Sequence, residues 1–245
     1  MFKIVVVGGP AEEYVEGCLQ SLVNQTVEDW EACVILDPVG DKTYENACKV
    51  QDPRIKVVLN TNRRFALQNT CDAIDMMEME SDDIIVSVDA DDWLTGPHSL
   101  ERVRGEYETH PWLLMTYGSW VGFPNHNAKT NTIGPYTEEE FRGNIRKVHW
   151  RASHLKTFRR RLWDKVDRKD FMDPRGGYFK VSWDLAFMWP MLEMAGPSRS
   201  RYIPDPIYTH NQQTPYNDAK VNLKEQMFFT RYIASMTQYP YVEDI

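Results

Sequence analysis

The chain has 245 residues, of which 42% are hydrophobic and 26% charged, and it carries a formal net charge of −8 at pH 7. This composition is ordinary for a soluble globular protein and excludes a disordered chain, and apolar runs such as IVVV at 4–7 are too short to cross a bilayer. Met1 leads directly into a strand-like run, so we expect no signal peptide. The cysteines lack metal-binding spacing and are expected to be reduced thiols of a cytoplasmic protein; they are Cys18, Cys33, Cys48 and Cys71.

The first half of the chain alternates strand-like and helix-like segments. Apolar runs predict strands at 3–7, 32–36, 55–59, 83–88 and 113–118. Helical spacing of apolar residues predicts helices at 11–24, 42–50, 64–79 and 97–109. This order predicts an α/β fold with a mainly parallel, Rossmann-like sheet flanked by helices, in which ligands bind beyond the carboxyl ends of the strands.

The second half is less regular. Its predicted elements are a loop at 119–136, a strand with a short helix at 150–164, a helix at 181–195, an extended segment at 201–210 and a terminal helix at 218–236. We expect the helix at 181–195 to stop at Gly196-Pro197, with a kink or early break at Pro190. No linker interrupts the sequence, which predicts one domain over 1–245, with a nucleotide-binding half (1–118) and an irregular half (119–245).

Three carboxylates follow the fourth predicted strand in the sequence VDADDW. Asp89, Asp91 and Asp92 would repel one another, so a cation is expected to compensate them. Clustered carboxylates at this position form a hard oxygen site of the kind that Mg²⁺ or Mn²⁺ prefers. The alternative is an acidic turn whose aspartate, or Thr95, caps the next helix.

The basic residues are concentrated in one block. Residues 142–180 contain 13 Lys or Arg and four Asp, a local charge of +9 in an acidic chain. Two interpretations are open for this block. It could bind a polyanion such as nucleic acid or an anionic lipid surface, or it could dock onto acidic neighbours within the protein.

Four segments, in the same order along the chain, match a known family. They are KIVVVGGP at 3–10, VEGCLQSLVNQTVEDWEACVILD at 15–37, NTNRRFALQNTCDAI at 60–74 and VSVDADDWL at 86–94. Through these segments the chain resembles family 2 glycosyltransferases, inverting enzymes with the GT-A fold that binds nucleotide-diphospho-sugars. The resemblance is good over 3–110 and looser over 148–218, where Asp184 and His210 also match.

The resemblance implies roles on the donor side of the site. Pro10 would border the nucleobase, and Asp37 would hydrogen-bond a uracil-type base. Asp89 would bind the ribose. Either Arg63 or Arg64 would face the diphosphate, which suits a guanidinium group. A UDP-sugar is the expected donor.

The resemblance also implies a metal and a catalytic base. Asp91 would coordinate Mn²⁺ or Mg²⁺ on the diphosphate, supported by Asp92, and His210 would close over the diphosphate or join the metal. Asp184 would be the general base that inversion requires. The alternative for Asp184 is a charge that complements the N-terminus of its helix.

The leading hypothesis is a metal-dependent inverting glycosyltransferase, a hexosyl- or pentosyltransferase. Its hydroxyl acceptor would be a glycan, a lipid-linked saccharide, a protein or a hydroxylated nucleic-acid base, and Trp183 would contact it. The alternatives are a sugar-nucleotide nucleotidyltransferase and a non-catalytic nucleotide-sugar-binding module. Gly8-Gly9 has no Lys or Arg nearby, which disfavours the first alternative. The joint presence of the aspartate cluster, Asp184 and His210 disfavours the second.

Overall fold

A computed structural model describes residues 1–125, 134–214 and 223–244. The strands are β1 (Phe2–Gly8), β2 (Trp30–Leu36), β3 (Ile55–Leu59), β4 (Ile84–Asp89), β5 (Trp93–Leu94), β6 (Met115–Phe123), β7 (Lys156–Arg159) and β8 (Ser200–Asn211). The helices are α1 (Val15–Val23), α2 (Thr43–Ala47), α3 (Phe65–Met76), α4 (Ser99–Thr109), α5 (Glu138–Arg142), α6 (Arg160–Trp163), α7 (Trp183–Arg199) and α8 (Leu223–Ser235). Two single-turn 3-10 helices lie at Ile145–Lys147 and Arg168–Phe171.

All eight strands form one sheet, in the order β3-β2-β1-β4-β7-β6-β8-β5. The first four strands in this order are parallel, as predicted from the alternation of strands and helices along the chain. Beyond β4 the sheet is mixed, because β7 is antiparallel to both β4 and β6 and β5 is antiparallel to β8. The predicted α/β class is therefore confirmed, and the four adjacent parallel strands all come from residues 1–118.

The strand predicted at 113–118 overlaps β6, which does not lie beside β4 in the sheet. The short strand β7, from the second half of the chain, lies between β4 and β6. Both predicted halves therefore contribute strands to the same sheet. The irregular half is also bound to the sheet through β8, which pairs with β6 in parallel.

Two hydrophobic cores cover the two faces of the sheet, because side chains alternate along each strand. In β1, Val5 and Val7 face the core that α3 and α7 cover, whereas Ile4 and Val6 face the core that α1 and α4 cover. The four cysteines are free thiols, and all but Cys48 are buried. Within the described ranges, no helix has the length and apolar character needed to cross a membrane.

Helix α7 continues through Pro190, so the predicted break there is wrong. Its helical dihedral angles are interrupted at Gly196, with φ 65° and ψ −179°, close to the predicted stop. The left-handed φ favours glycine at this position. The start of the terminal helix predicted at 218–236 lies outside the described residues, and the helix is described from Leu223.

A buried ion pair anchors α7 to the C-terminal segment. The Arg146 guanidinium donates to both oxygens of Glu193 at 2.6 Å and to the carbonyl of Ile233 at 3.0 Å. Glu193 also accepts a hydrogen bond from the backbone of Tyr239. The Arg146 and Glu193 side chains are 1% and 4% exposed, so neither charge is compensated by water.

This anchor predicts a large loss of stability in Arg146→Met. Removing one member of a buried pair leaves the other charge unpaired, which costs about 3–5 kcal/mol. Arg142→Met is the matched control, because the Arg142–Glu138 pair is exposed and such pairs contribute about 0–1 kcal/mol. Urea unfolding of both variants measures the difference, and equal losses would contradict a stabilising role for the anchor.

Candidate active site

A cavity of about 260 Å³ opens at the carboxyl ends of the parallel strands. Open α/β sheets bind ligands at this edge. The cavity is lined by six of the residues predicted from the sequence: Pro10, Asp37, Arg63, Asp89, Asp91 and His210. The fold therefore gathers positions that are up to 200 residues apart in the sequence.

The turn after β1 packs directly against the aspartate loop. A Cβ atom on Gly8 would lie 2.9 Å from the Cβ of Ala90, closer than real side chains approach. Glycine at this position lets the two loops meet at the cavity. The Gly9-Pro10 peptide of the same turn is cis.

Asp37, at the end of β2, is buried and organises the start of α3. Its Oδ1 accepts hydrogen bonds from Asn60, Asn69 and the backbone N–H of Arg64, and its Oδ2 accepts from the backbone N–H of Phe65. Oδ2 thus has one protein donor and can accept a second N–H. This geometry serves the N-terminus of α3 and is compatible with the predicted contact to a base.

The two arginines before α3 occupy different surroundings. Arg64 forms an ion pair with Asp72 at 2.8 Å, whereas Arg63 lines the cavity. The guanidinium of Arg63 lies 4.5 Å from the ring centre of Phe65, and Lys180 Nζ lies 5.0 Å from the same ring. Of the two predicted candidates, Arg63 therefore has the better position for a phosphate contact, and Lys180 adds a second cation.

Asp92 connects the aspartate loop to β8. Its side chain is 1% exposed, its Oδ1 accepts from the backbone N–H of Asn211 at 2.7 Å, and its Oδ2 lies 3.1 Å from Nδ1 of His210. A carboxylate on one ring nitrogen orients a histidine and leaves the other nitrogen for a metal or a phosphate. The predicted supporting role of Asp92 fits this arrangement.

His154, just before β7, completes a group of possible metal ligands. One ligand atom each from Asp92, His154 and His210 lies within 4.8 Å of the others. The His154 ring stacks on Tyr208 with centroids 4.4 Å apart. A set of one carboxylate and two imidazoles is chemically suited to a divalent transition metal. Asp91 is outside this group and lines the cavity instead.

Burial and mutual repulsion perturb the acids of the cluster. Burial, followed by the charges of Asp92 and Asp89, raises the pKa of Asp91 to about 8. Burial also raises the pKa of Asp89, to about 6, although the charge of Lys156 opposes the shift. Metal-free protein therefore holds part of the cluster protonated near neutral pH, and a bound cation would favour the ionised form.

The histidines respond in opposite directions. Burial lowers the pKa of His154 well below its usual range, so this imidazole is neutral and able to bind a metal. Burial also acts to lower the pKa of His210, but the hydrogen bond to Asp92 and the charges of the acidic cluster raise it overall.

Asp184 lies in the first turn of α7, next to Trp183, which lines the cavity. One oxygen of Asp184 accepts the backbone N–H of Leu185 at 3.1 Å, and the other lies 3.6 Å from Lys156 Nζ. The side chain is 24% exposed and remains accessible to an acceptor. Both the predicted base and the predicted helix-end charge are compatible with this position.

Sequence reasoning missed His154, Lys156 and Lys180 as site residues. In the structure, Nδ1 of His154 lies 3.5 Å from Nζ of Lys156. The signal was available in HLKTF, but it has meaning only once β7 is known to pair with β4. Lys180 was counted in the basic block, but its place in the lining of the cavity was not predicted.

The basic block is largely neutralised within the protein. Ten of its 13 Lys and Arg residues form ion pairs with carboxylates, among them Arg151 with Glu140 and Arg168 with Asp75. These pairs favour docking onto acidic neighbours over a surface for polyanions.

Comparisons with known proteins identify the family to which the chain belongs. The model of Glycosyl transferase family 2 matches residues 4–182. The chain belongs to this family, which confirms the predicted class, a glycosyltransferase domain. Two curated relatives, the chondroitin synthase and the hyaluronan synthase of Pasteurella multocida, are each 26% identical over 161 residues, or 63% of this chain. The chain spans 15% of the length of each.

Solved structures support the GT-A fold. TarS of S. aureus, in complex with UDP-GlcNAc, matches 97% of this chain and 68% of its own, with a TM-score of 0.70 and 17% identity. The mannosyltransferase PcManGT of Pyrobaculum calidifontis, in complex with GDP-Man and Mn²⁺, matches 97% of this chain and 65% of its own, with a TM-score of 0.63 and 17% identity.

The raised pKa of Asp91 predicts that Asp91→Asn stabilises the metal-free protein at pH 8. The folded pKa, about 8, is above the unfolded value of about 3.9, so protonation favours folding. Stability is therefore greatest below the unfolded pKa and falls as pH rises towards 8, and asparagine removes this loss. We expect a thermal midpoint several degrees above wild type at pH 8, with little difference at pH 4.

Asp52→Asn is the control with the opposite sign. The hydrogen bond from Arg54 lowers the pKa of Asp52, so its charged form stabilises the fold and the substitution should lower the midpoint at pH 8. Thermal unfolding without metal compares the two variants. A lower midpoint for Asp91→Asn than for wild type at pH 8 would show that the charge of Asp91 does not destabilise the metal-free fold.

Proposed function

We propose that this protein is a metal-dependent inverting glycosyltransferase that uses a nucleotide-diphospho-sugar, with a UDP-sugar as the expected donor. The single observation that carries the proposal is the cavity in which Asp37, Arg63, Asp89, Asp91 and His210 meet. Membership of Glycosyl transferase family 2 supports the same reaction class. The relatives bound to UDP-GlcNAc and to GDP-Man with Mn²⁺ support a donor of this chemistry.

In this proposal the donor lies along the carboxyl edge of the sheet. The nucleobase lies between Pro10 and Asp37. There Oδ2 of Asp37, which accepts one hydrogen bond from the protein, accepts a second from an N–H of the nucleobase. The ribose lies at Asp89, and the diphosphate lies between the acidic cluster and Arg63. Asp92, His210 and His154 would hold the cation with Asp91, and a bound divalent ion would neutralise charge on the leaving diphosphate.

Asp184 is the proposed general base. The acceptor hydroxyl attacks the anomeric carbon from the side opposite the diphosphate, its proton passes to the Asp184 carboxylate, and the bond from the sugar to the diphosphate breaks. One displacement of this kind inverts the anomeric configuration. Trp183 lines the cavity next to the base and offers an aromatic face to the acceptor.

A saccharide hydroxyl is the proposed acceptor. The curated relatives are named for polysaccharide synthesis, and the internal ion pairs of residues 142–180 give little support to a polyanionic acceptor at that surface. Membership of a family of glycosyltransferases disfavours the nucleotidyltransferase alternative. A binding module without catalysis is distinguished from the enzyme by turnover.

Donor identity is tested by thermal shift with Mn²⁺ and a panel of nucleotide sugars that includes UDP-GlcNAc and GDP-Man. A ligand that binds only the folded state stabilises it, by about 2.7 kcal/mol when the ligand is present at 100 times its Kd. This stabilisation raises the thermal midpoint. We expect a UDP-sugar to give the largest shift, and only when Mn²⁺ or Mg²⁺ is present. The proposal would be contradicted if no nucleotide sugar shifted the midpoint with either metal.

The catalytic role is tested with Asp184→Asn and the donor selected by that panel. Loss of the base should lower turnover by about 10²-fold or more while donor affinity stays within a few-fold of wild type, since Asp184 touches only the acceptor side. Release of nucleoside diphosphate measures turnover, and calorimetry measures donor binding. Wild-type turnover in the variant would remove Asp184 from the mechanism, and a wild-type protein that binds the donor without turnover would indicate a binding module.

A further inference from the structure

Lys156, the first residue of β7, is an unusual member of the basic block. Its side chain is 2% exposed, and in the described part of the chain only Lys3 is a second buried lysine. A buried ammonium group is costly unless partners compensate its charge. The surroundings of Lys156 therefore indicate what holds it there.

Three groups surround the Lys156 ammonium. Its Nζ lies 3.6 Å from Asp184 Oδ2, 3.5 Å from His154 Nδ1 and 5.4 Å from the ring centre of Trp183. The carboxylate compensates the charge, and the indole face adds a cation–π interaction. Each of these partners belongs to the acceptor side or the metal side of the cavity.

Lys156 also links those two sides. His154, which contacts Lys156 through Nδ1, has its other ring nitrogen, Nε2, 4.0 Å from Oδ2 of Asp89. The charge of Lys156 is the largest of those acting on Asp89, and it opposes the effect of burial on that acid. The chain of groups from Asp184 through Lys156 and His154 to Asp89 thus spans the site.

We propose that Lys156 is a positioning residue that holds Asp184 towards the acceptor and places a positive charge beside the carboxylates of the donor side. This inference rests on the proposed function, in which Asp184 is the general base. Lys156 would then be a counter-charge for the acidic cluster that belongs to the protein itself, separate from any cation that arrives with the donor.

The proposal predicts two effects of opposite sign in Lys156→Met. The lysine repels a divalent cation at the neighbouring Asp92, His154 and His210, so its removal should tighten Mn²⁺ binding about 3- to 10-fold, from Coulomb's law with a high effective dielectric constant. Loss of the contact to Asp184 should lower kcat at least tenfold while the KM of the donor changes little. General damage to the fold would weaken both functions together.

Lys3→Met is the matched control. Lys3 is also a buried, paired lysine, but it contacts Glu31 and lies near the opposite end of β1 from the cavity. We expect it to lower thermal stability as Lys156→Met does, with Mn²⁺ affinity and kcat as in wild type. Lys156→Arg keeps the charge and should keep the wild-type Mn²⁺ affinity and recover part of the kcat.

Electron paramagnetic resonance of Mn²⁺ at pH 8 measures metal affinity without any donor, and release of nucleoside diphosphate from the selected donor measures kcat. Mn²⁺ affinity that is unchanged or weaker in Lys156→Met, or an unchanged kcat, would overturn the inference. The result for Asp184→Asn separates the two proposals. If that variant loses turnover while Lys156→Met behaves as wild type, only the positioning role fails; if Asp184→Asn keeps turnover, the proposed base fails.

Discussion

The arrangement of this protein depends on one electrostatic constraint, the crowding of like-charged carboxylates at the end of a buried strand. Asp89 ends β4 and Asp91 and Asp92 follow it, and burial raises the pKa of both Asp89 and Asp91. Positive or metal-binding groups have to reach this point from elsewhere in the sheet. The mixed half of the sheet does this, because β7 and the residues before it bring Lys156 and His154, and β8 brings His210.

The nucleotide-binding half could be predicted from sequence because its signals are local. The buried parallel strands are continuous apolar runs, and their carboxyl ends share one edge, so the turn residues Pro10, Asp37 and Asp89 were expected to meet. The resemblance to a family supplied the roles that spacing alone could not. The hydrogen bonds that Asp37 accepts at the start of α3 had no sequence signal, because their donors are backbone N–H groups of another element.

The strand and short helix predicted at 150–164 correspond to β7 and α6, but the place of β7 in the sheet could not be predicted, because its pairing is long-range and short. The four residues of β7, KTFR, are mostly polar or charged and give no apolar run, yet they separate β4 from β6. Without that pairing, His154 and Lys156 were only members of a basic block. The internal ion pairs of the block follow from the same folding, since Arg159 and Arg161 meet Asp82 only beside β4. The family match ends at residue 182, just before Asp184, so the acceptor side is also where family information thins.

The central claim is that the acidic edge of β4 holds a divalent cation together with a nucleoside diphosphate. X-ray diffraction from a crystal soaked with Mn²⁺ and UDP, measured at the manganese absorption edge, tests it most directly. The account predicts one anomalous peak within bonding distance of a diphosphate oxygen and of the side chains of the acidic edge and its histidines, namely Asp91, Asp92, His154 and His210. A diphosphate bound without a peak there, or a peak away from these side chains, would contradict it.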